Sequence, residues 1–202
     1  MPTYKLCYFD LRGLGEMGRL IFAEAGVDYT DERIKKEDWP ARKPGMPFGK
    51  MPVLFVDDVP IAHSRAMVRY LGRTFNLMGS NELEAAQIDM WIEVLFEAVM
   101  EYPFSEQDET KKTQAEKKET AWTDHFFPKF TKLNEQIAKS CGPYILGEKV
   151  SVADIVVCAM IELLKTLYDA SKFESFGLIS KLTDTVAARP NIAAWLKKRP
   201  QD

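Results

Sequence analysis

Residues 13–18 read GLGEMG, a G-x-G-x-x-G spacing set between an apolar run, YKLCYF, and an apolar-periodic stretch, RLIFAEAG. Between a strand and a helix such glycines let the backbone wrap a pyrophosphate, and Arg33, about 20 residues on, stands where a basic side chain suits a 2′-phosphate. Three carboxylates, Glu93, Glu97 and Glu101, recur at every fourth position. Like charges so spaced disfavour an isolated helix by a few tenths of a kcal/mol per pair, so the stripe either meets something positive or is a solvated face. His63 and His125 are the only histidines, and neither has a second His or Cys at a ligand spacing, so no metal site is expected. Cys7, Cys141 and Cys158 form no C-x-x-C pair and read as reduced thiols rather than a disulfide framework.

These residues sit in a chain whose two halves are punctuated differently. The first 75 or so residues predict a strand at KLCYF, a helix at EMGRLIFAEAG, a strand at YTDERI, a loop at DWPARKPGMPFGKM, a hairpin from PVLFVDD into PIA, and a closing helix at HSRAMVRYLGRTF. From Leu83 onward apolar residues recur at helical spacing, as in Ile88, Trp91, Ile92, Leu95 and Val99, and no strand is expected. SEQDETKKTQAEKKE reads as a solvated loop running into helical turns. Ser151 and Asp154 have capping-box spacing, with Val150 and Ile155 placed as a hydrophobic staple, so VADIVVCAMIELL begins sharply for structural reasons. RPNIAAWLKKRPQD opens a helix on Pro190 and closes it on basic residues.

With 202 residues, 46% of them hydrophobic, the chain has material for a genuine core. A net charge of -3 gives no basic excess to track a phosphate backbone, and no apolar stretch reaches the ~20 residues that span a bilayer. Nucleic acid and membrane are not expected partners. MPTYKLCYFD enters a strand-like run without an export signal, so the expected location is the cytoplasm.

The dinucleotide reading of GLGEMG fails on architecture. It needs further β-α units so that strand order reverses beside the ligand, and only one crossover precedes the hairpin. Arg12 stands directly before the first glycine, and Glu16 lies in the turn, where its carboxylate would repel a pyrophosphate. GLGEMG therefore reads as a tight strand-to-helix turn. Pro52 is more informative: it opens PVLFVD, and a cis Met51–Pro52 bond would leave the Met51 N–H and C=O free to pair with an extended peptide.

YKLCYFDLRGLGE, RIKKEDWPARKPGMPFGKMPVL, IAHSRAMVRYL and VSVADIVV together resemble a glutathione transferase of the sigma class, over essentially the whole chain. The resemblance implies an N-terminal thioredoxin-like α/β domain at 1–78, an all-helical domain at 82–202 that contributes the hydrophobic substrate site, a cis Pro52, and a homodimer. It implies glutathione as co-substrate and no required metal. Tyr8 matches the catalytic tyrosine whose hydroxyl bonds the glutathione sulfur. Trp39, Lys43 and Lys50 match glutathione-binding positions, Lys43 facing the glycyl carboxylate. Met51 matches the residue whose backbone pairs with the cysteinyl unit, beside Pro52. Ser64 matches the hydroxyl at the γ-glutamyl carboxylate, with His63 beside it. Glu97 matches an acidic position reaching the partner subunit's site. Phe9, Leu14, Tyr102 and Phe104 stand, by position, at the hydrophobic substrate site.

This sequence departs from the family pattern at His63, where glutamine is usual, and an imidazole cannot copy both ends of an amide. Leu14 stands where some prostaglandin-isomerising relatives have arginine. Phe55 and Asp58 replace the commoner residues of a VLEVDG turn. Cys7, beside Tyr8, lies inside the apolar strand and reads as an inert thiol rather than a nucleophile. The expected function is Tyr-assisted activation of glutathione for conjugation to hydrophobic electrophiles. The alternatives are a glutathione-dependent prostaglandin isomerase or lipid peroxidase, a non-catalytic crystallin-like protein, and an NADP-dependent reductase.

Overall fold

The computed structural model describes residues 2–100, Tyr102 and 111–200. Strand β1 (Tyr4–Phe9) turns into helix α1 (Glu16–Ala25), which returns as β2 (Thr30–Ile34) parallel to β1. The stretch predicted as a loop is instead wound into short turns: a 3-10 turn, α2 (Trp39–Arg42), and two further 3-10 turns. Pro40, Pro44 and Pro47 stand at the first positions of these turns. A proline there loses no hydrogen bond, and the next proline stops the turn from growing. Strands β3 (Val53–Val56) and β4 (Val59–Ala62) form an antiparallel hairpin, followed by α3 (Ser64–Thr74). The sheet order is β2-β1-β3-β4, with β1 antiparallel to β3.

Alternation along β1 divides two cores. Tyr4 and Leu6 join Leu54 and the inner faces of α1 and α3 in the main core. Cys7 faces the other way, into a small cluster with Ile34, Met46 and Val53 that the wound 35–52 segment covers.

Helix α4 (Glu82–Met100) opens the second half, followed by α5 (Lys111–Ala121), a π turn at Trp122–Phe126, and α6 (Phe127–Lys139). Then come α7 (Val152–Leu167), α8 (Gly177–Ala187) and α9 (Pro190–Lys198). Every residue from 152 to 161 is buried. A helix that is apolar all round has to be central, and α7 touches α1, α3, α4 and α8. Its start is fixed by Asp154, whose carboxylate accepts from the Ser151 N–H (2.7 Å), the Ser151 hydroxyl (2.6 Å) and the Ile145 N–H (2.8 Å). One continuous apolar core runs from Leu6 and Met17 through Val156 to Ile192, so both halves share it. Among the described residues no helix is long and apolar enough to cross a membrane.

Candidate active site

Tyr8 ends the buried part of β1, and the chain must leave it through a turn that hugs its ring. Glycine is required there: a Cβ on Gly15 would stand 2.5 Å from Tyr8 Cδ1, and one on Gly13, whose φ is +42°, would stand 2.8 Å from the Tyr8 hydroxyl. The first two glycines of the G-x-G-x-x-G spacing thus make room for a tyrosine. Their turn places the Leu14 N–H 3.2 Å from the Tyr8 hydroxyl oxygen, which accepts from it. Burial pushes the Tyr8 pKa up, while the Leu14 bond and the Arg19 charge pull it down. The phenol keeps its proton at neutral pH. With one oxygen lone pair engaged, its O–H remains available to donate.

Arg33, a candidate for a nucleotide phosphate by spacing, is used within the fold. Its Nε donates to Asp31 at 2.8 Å and its Nη1 to Asp10 at 3.2 Å. Glu16, in the turn where a pyrophosphate would have met its carboxylate, is buried, and its carboxylate is bonded to Arg19, Trp195 and Arg199.

The second wall comes from the wound segment and the start of β3. Phe9 packs edge-on against Tyr8 at 5.7 Å and against Trp39 at 5.5 Å, so β1 and the first turn of α2 are tied by aromatic contact. Lys43 and Lys50 are exposed, and Trp39 and Met51 are half-buried. The Met51–Pro52 bond is cis. Pro52 is buried, and Val53 then pairs with Cys7 across the sheet. Cys7 itself donates to Glu32 at 2.8 Å, and burial pushes its thiol up to about 12, which leaves it no nucleophile.

The third wall is the start of α3. Ser64, buried, is its first residue, and His63 before it has φ +67° and makes no capping hydrogen bond with its side chain. The first-turn amides and the Ser64 hydroxyl form the positive end of a helix, where an anion is favoured. The exposed His63 ring instead lies 5.6 Å from that of Phe48.

Leu14, Lys50, Met51, Pro52, His63 and Ser64 line one open cleft of about 1060 Å³. Its far side holds Arg65, Arg69 and Arg73 of α3 with Phe96 and Met100 of α4. Tyr8, Phe9, Trp39 and Lys43 are not among the lining residues, and Tyr8 is tied to the cleft through Leu14, whose N–H donates to its hydroxyl. Tyr102 is buried in the helical half, edge-on to Tyr168 at 5.5 Å, and is not among the lining residues. Phe104 and Glu101 lie outside the described residues.

The glutamate stripe splits. Glu93 accepts from Arg65 at 2.8 Å and from Arg69, while Asp89 accepts from Arg69 at 2.7 Å. Glu97 is exposed, with its carboxylate 3.9 Å from Lys129. The arginines at 65, 69 and 73 escaped the sequence reading, although their i, i+4, i+8 spacing mirrors that of Asp89 and Glu93.

The family pattern described as "Glutathione S-transferase, N-terminal domain" matches residues 4–73, and "Glutathione S-transferase, C-terminal domain" matches residues 95–199. The chain is 40% identical to "Glutathione S-transferase 1" of Ascaris suum, over 100% of this chain and 98% of that one. It is 37% identical to "Hematopoietic prostaglandin D synthase" of Gallus gallus, again over 100% and 98%. Among solved structures, prostaglandin synthase D of Nilaparvata lugens superposes with a TM-score of 0.91 at 34% identity, covering 100% of both chains.

Proposed function

The chain belongs to the glutathione S-transferase family, and we propose that it binds glutathione along Met51, ionises the thiol beside Tyr8 and transfers the sulfur to hydrophobic electrophiles. The observation that carries this reading is the Tyr8 hydroxyl, kept protonated by burial and already accepting from Leu14. A free thiol with a pKa of about 8.5 is only a few per cent ionised near neutrality, and a donor aimed at the thiolate raises that fraction. The thiol proton leaves to solvent, Tyr8 retains its own, and the sulfur lone pair forms the new C–S bond as the electrophile's displaced electrons move to its leaving group or acceptor.

Among the described residues Met51 makes no backbone hydrogen bond outside the sheet, which leaves its N–H and C=O for the cysteinyl unit. Lys43 and Lys50 supply positive charge for the glycyl carboxylate, with Trp39 flanking it. Ser64 and the α3 amides receive the γ-glutamyl carboxylate, and His63 lies beside them. Glu97, exposed on α4, reaches a second subunit's site in a homodimer. Phe9 and Leu14 form the apolar side for the electrophile, where the family position also puts Phe104. Three unpaired cysteines suit a cytosolic setting.

A second reading, a glutathione-dependent prostaglandin isomerase, is favoured by the names of two of the relatives above. Leu14 argues for general conjugation, because it puts an apolar side chain rather than a cation beside the thiolate. Retention on immobilised glutathione, followed by conjugation of a chromogenic electrophile by wild type and Tyr8→Phe, tests the main reading. Loss of one charge-assisted hydrogen bond should lower kcat/KM about 10- to 100-fold with little change in the KM for glutathione. Wild-type turnover that does not depend on Tyr8 overturns it.

A further inference from the structure

Arg19 is fully buried in α1 and grips the chain just after Tyr8. Its guanidinium donates to the carbonyls of Phe9 (3.5 Å), Leu11 (2.9 Å) and Arg12 (3.4 Å), while its Nε donates to Asp31 at 3.0 Å. Its remaining partner is Glu16, at 3.3 Å. The Glu16 N–H donates to the Arg12 carbonyl at 3.0 Å, closing the turn that carries Leu14 to the Tyr8 hydroxyl.

The two oxygens of the Glu16 carboxylate divide their partners between the ends of the chain. Oε2 faces Arg19, whereas Oε1 accepts from Trp195 Nε1 at 2.8 Å and from Arg199 Nη1 at 2.9 Å. Arg199 also donates to Glu162 of α7, which in turn accepts from Arg12 at 3.5 Å. A single array of hydrogen-bonded charges therefore runs from the last helix, through Glu16, to the turn behind the nucleophile's donor. Glu16 and Arg19 are its most buried members, and removing one partner of a buried ion pair leaves the other uncompensated, so a change at Trp195 or Arg199 is felt at Glu16.

We propose that Glu16, held by Trp195 and Arg199, is a positioning residue for the Tyr8 hydroxyl, so that the C-terminal helix sets how well the thiolate is stabilised. This rests on the reading of Tyr8 as the thiolate's donor. When Oε1 loses a partner, the Glu16 carboxylate and the 12–16 turn shift, the Leu14 N–H moves relative to Tyr8, and the phenol is aimed less well at the sulfur. Aim of a donor by fractions of an ångström is what such preorganisation supplies.

The test uses the full chain with glutathione bound, in Trp195→Phe, Arg199→Met and Arg199→Lys. Three quantities are read: the pKa of the bound thiol from its thiolate ultraviolet absorbance, the pH profile of kcat/KM, and the glutathione Kd. Trp195→Phe and Arg199→Met should raise the bound thiol pKa by about half to one unit, lowering kcat/KM below neutrality about three- to tenfold. The rate should recover at alkaline pH, and Kd should stay within about twofold, because the change lies in thiolate stabilisation rather than in binding. Arg199→Lys, which keeps a donor to Glu16, should restore most of the shift. Trp195→Phe removes a single hydrogen bond from a half-buried ring and keeps the test open if Arg199→Met does not fold. Folded variants with the wild-type thiol pKa, or with a rate loss equal at every pH, overturn the proposal even where their urea midpoints fall. A wild type without Tyr8-dependent thiolate absorbance overturns the reading of Tyr8 and this proposal together, whereas a Tyr8-dependent thiolate with unmoved variants overturns this proposal alone.

Discussion

The Leu14 N–H stands 3.2 Å from the Tyr8 hydroxyl oxygen and donates to it, although the two residues belong to a turn and a strand that sterics hold together only because Gly13 and Gly15 lack side chains. An oxygen that already accepts one bond has its proton directed elsewhere. The site's chemistry therefore depends on that proton staying in place.

The pH dependence has a worked sign. Burial is the largest influence on Tyr8 and moves its pKa upward from the usual value of about 10, so the donor form persists throughout the accessible range. The rate should climb with pH as the bound thiol ionises and then level off, with no descending limb from Tyr8 below about pH 10. A kcat/KM profile that falls with an apparent pKa near 8 or 9, on a substrate that does not itself titrate, contradicts this assignment.

Thiol reactivity should separate the three cysteines. Cys7 and Cys158 are buried, and burial pushes both up to about 12, whereas Cys141 is exposed. Brief alkylation of the native protein near neutral pH, read by peptide mass spectrometry, should modify Cys141 alone. Rapid labelling of Cys7 would reopen its candidacy as a nucleophile.

Much of this was legible in the residues themselves. The two-to-3.6 shift in apolar period marked where strands give way to helices, and Ser151-x-x-Asp154 announced the start of α7, because both signals are local. The wound 35–52 segment was not legible as helix, since its prolines punctuate a loop and start a turn with the same letter. Nor was the fate of Glu16, whose partners Trp195 and Arg199 lie at the far end of the chain; a carboxylate at the first position of a helix reads as solvated until something distant covers it. Tyr102 was placed beside the substrate by position, yet burial against Tyr168 takes it into the helical core. Aromatic residues carry no local mark that distinguishes a pocket wall from a core.

The β3–β4 turn should tolerate improvement. Asp57 and Asp58 have φ of +46° and +67°, the two left-handed positions of a two-residue hairpin turn, where glycine is favoured at the second. Asp57 is occupied, accepting from the Thr3 N–H at 2.8 Å and the Thr3 hydroxyl at 3.0 Å. Asp58→Gly should therefore stabilise the fold by about 0.5–1 kcal/mol, seen as a raised urea midpoint at unchanged slope, with conjugation activity unaffected. A lowered midpoint would show that the Asp58 side chain contributes more than its backbone loses.

The start of α7 should respond unequally to its two polar residues. Asp154→Ala strands the buried Ile145 and Ser151 N–H groups at once, which costs about 2–5 kcal/mol. Ser151→Ala leaves both of those bonds in place and should cost about 1 kcal/mol. Burial pushes the Asp154 pKa up while these hydrogen bonds pull it down, so the carboxylate is retained for its bonds rather than its charge. Denaturant unfolding of the two variants decides the order, and equal losses would assign the effect to the hydroxyl.

His63 offers the clearest route from sequence departure to measurable function. Its backbone, at φ +67°, turns the chain into α3 whatever the side chain is, so replacing it with another L residue leaves the backbone cost unchanged. The side chain is exposed and rests its ring near Phe48, on the lip of the cleft that Ser64 also lines. An imidazole in that place presents one nitrogen at a time, whereas an amide presents a donor and an acceptor on one short plane, as the γ-glutamyl end of glutathione with its carboxylate and ammonium requires. One recovered hydrogen bond is worth about 1 kcal/mol, so His63→Gln should lower the KM for glutathione about three- to tenfold. Its kcat should stay put, because the change lies at the far end of the tripeptide from Tyr8 and affects ground state and transition state alike. His63→Ala should move KM in the opposite direction or not at all. Initial-rate kinetics at saturating electrophile separate these cases, and a KM that rises in His63→Gln would mean that the ring contact with Phe48, rather than hydrogen bonding, is what this position contributes.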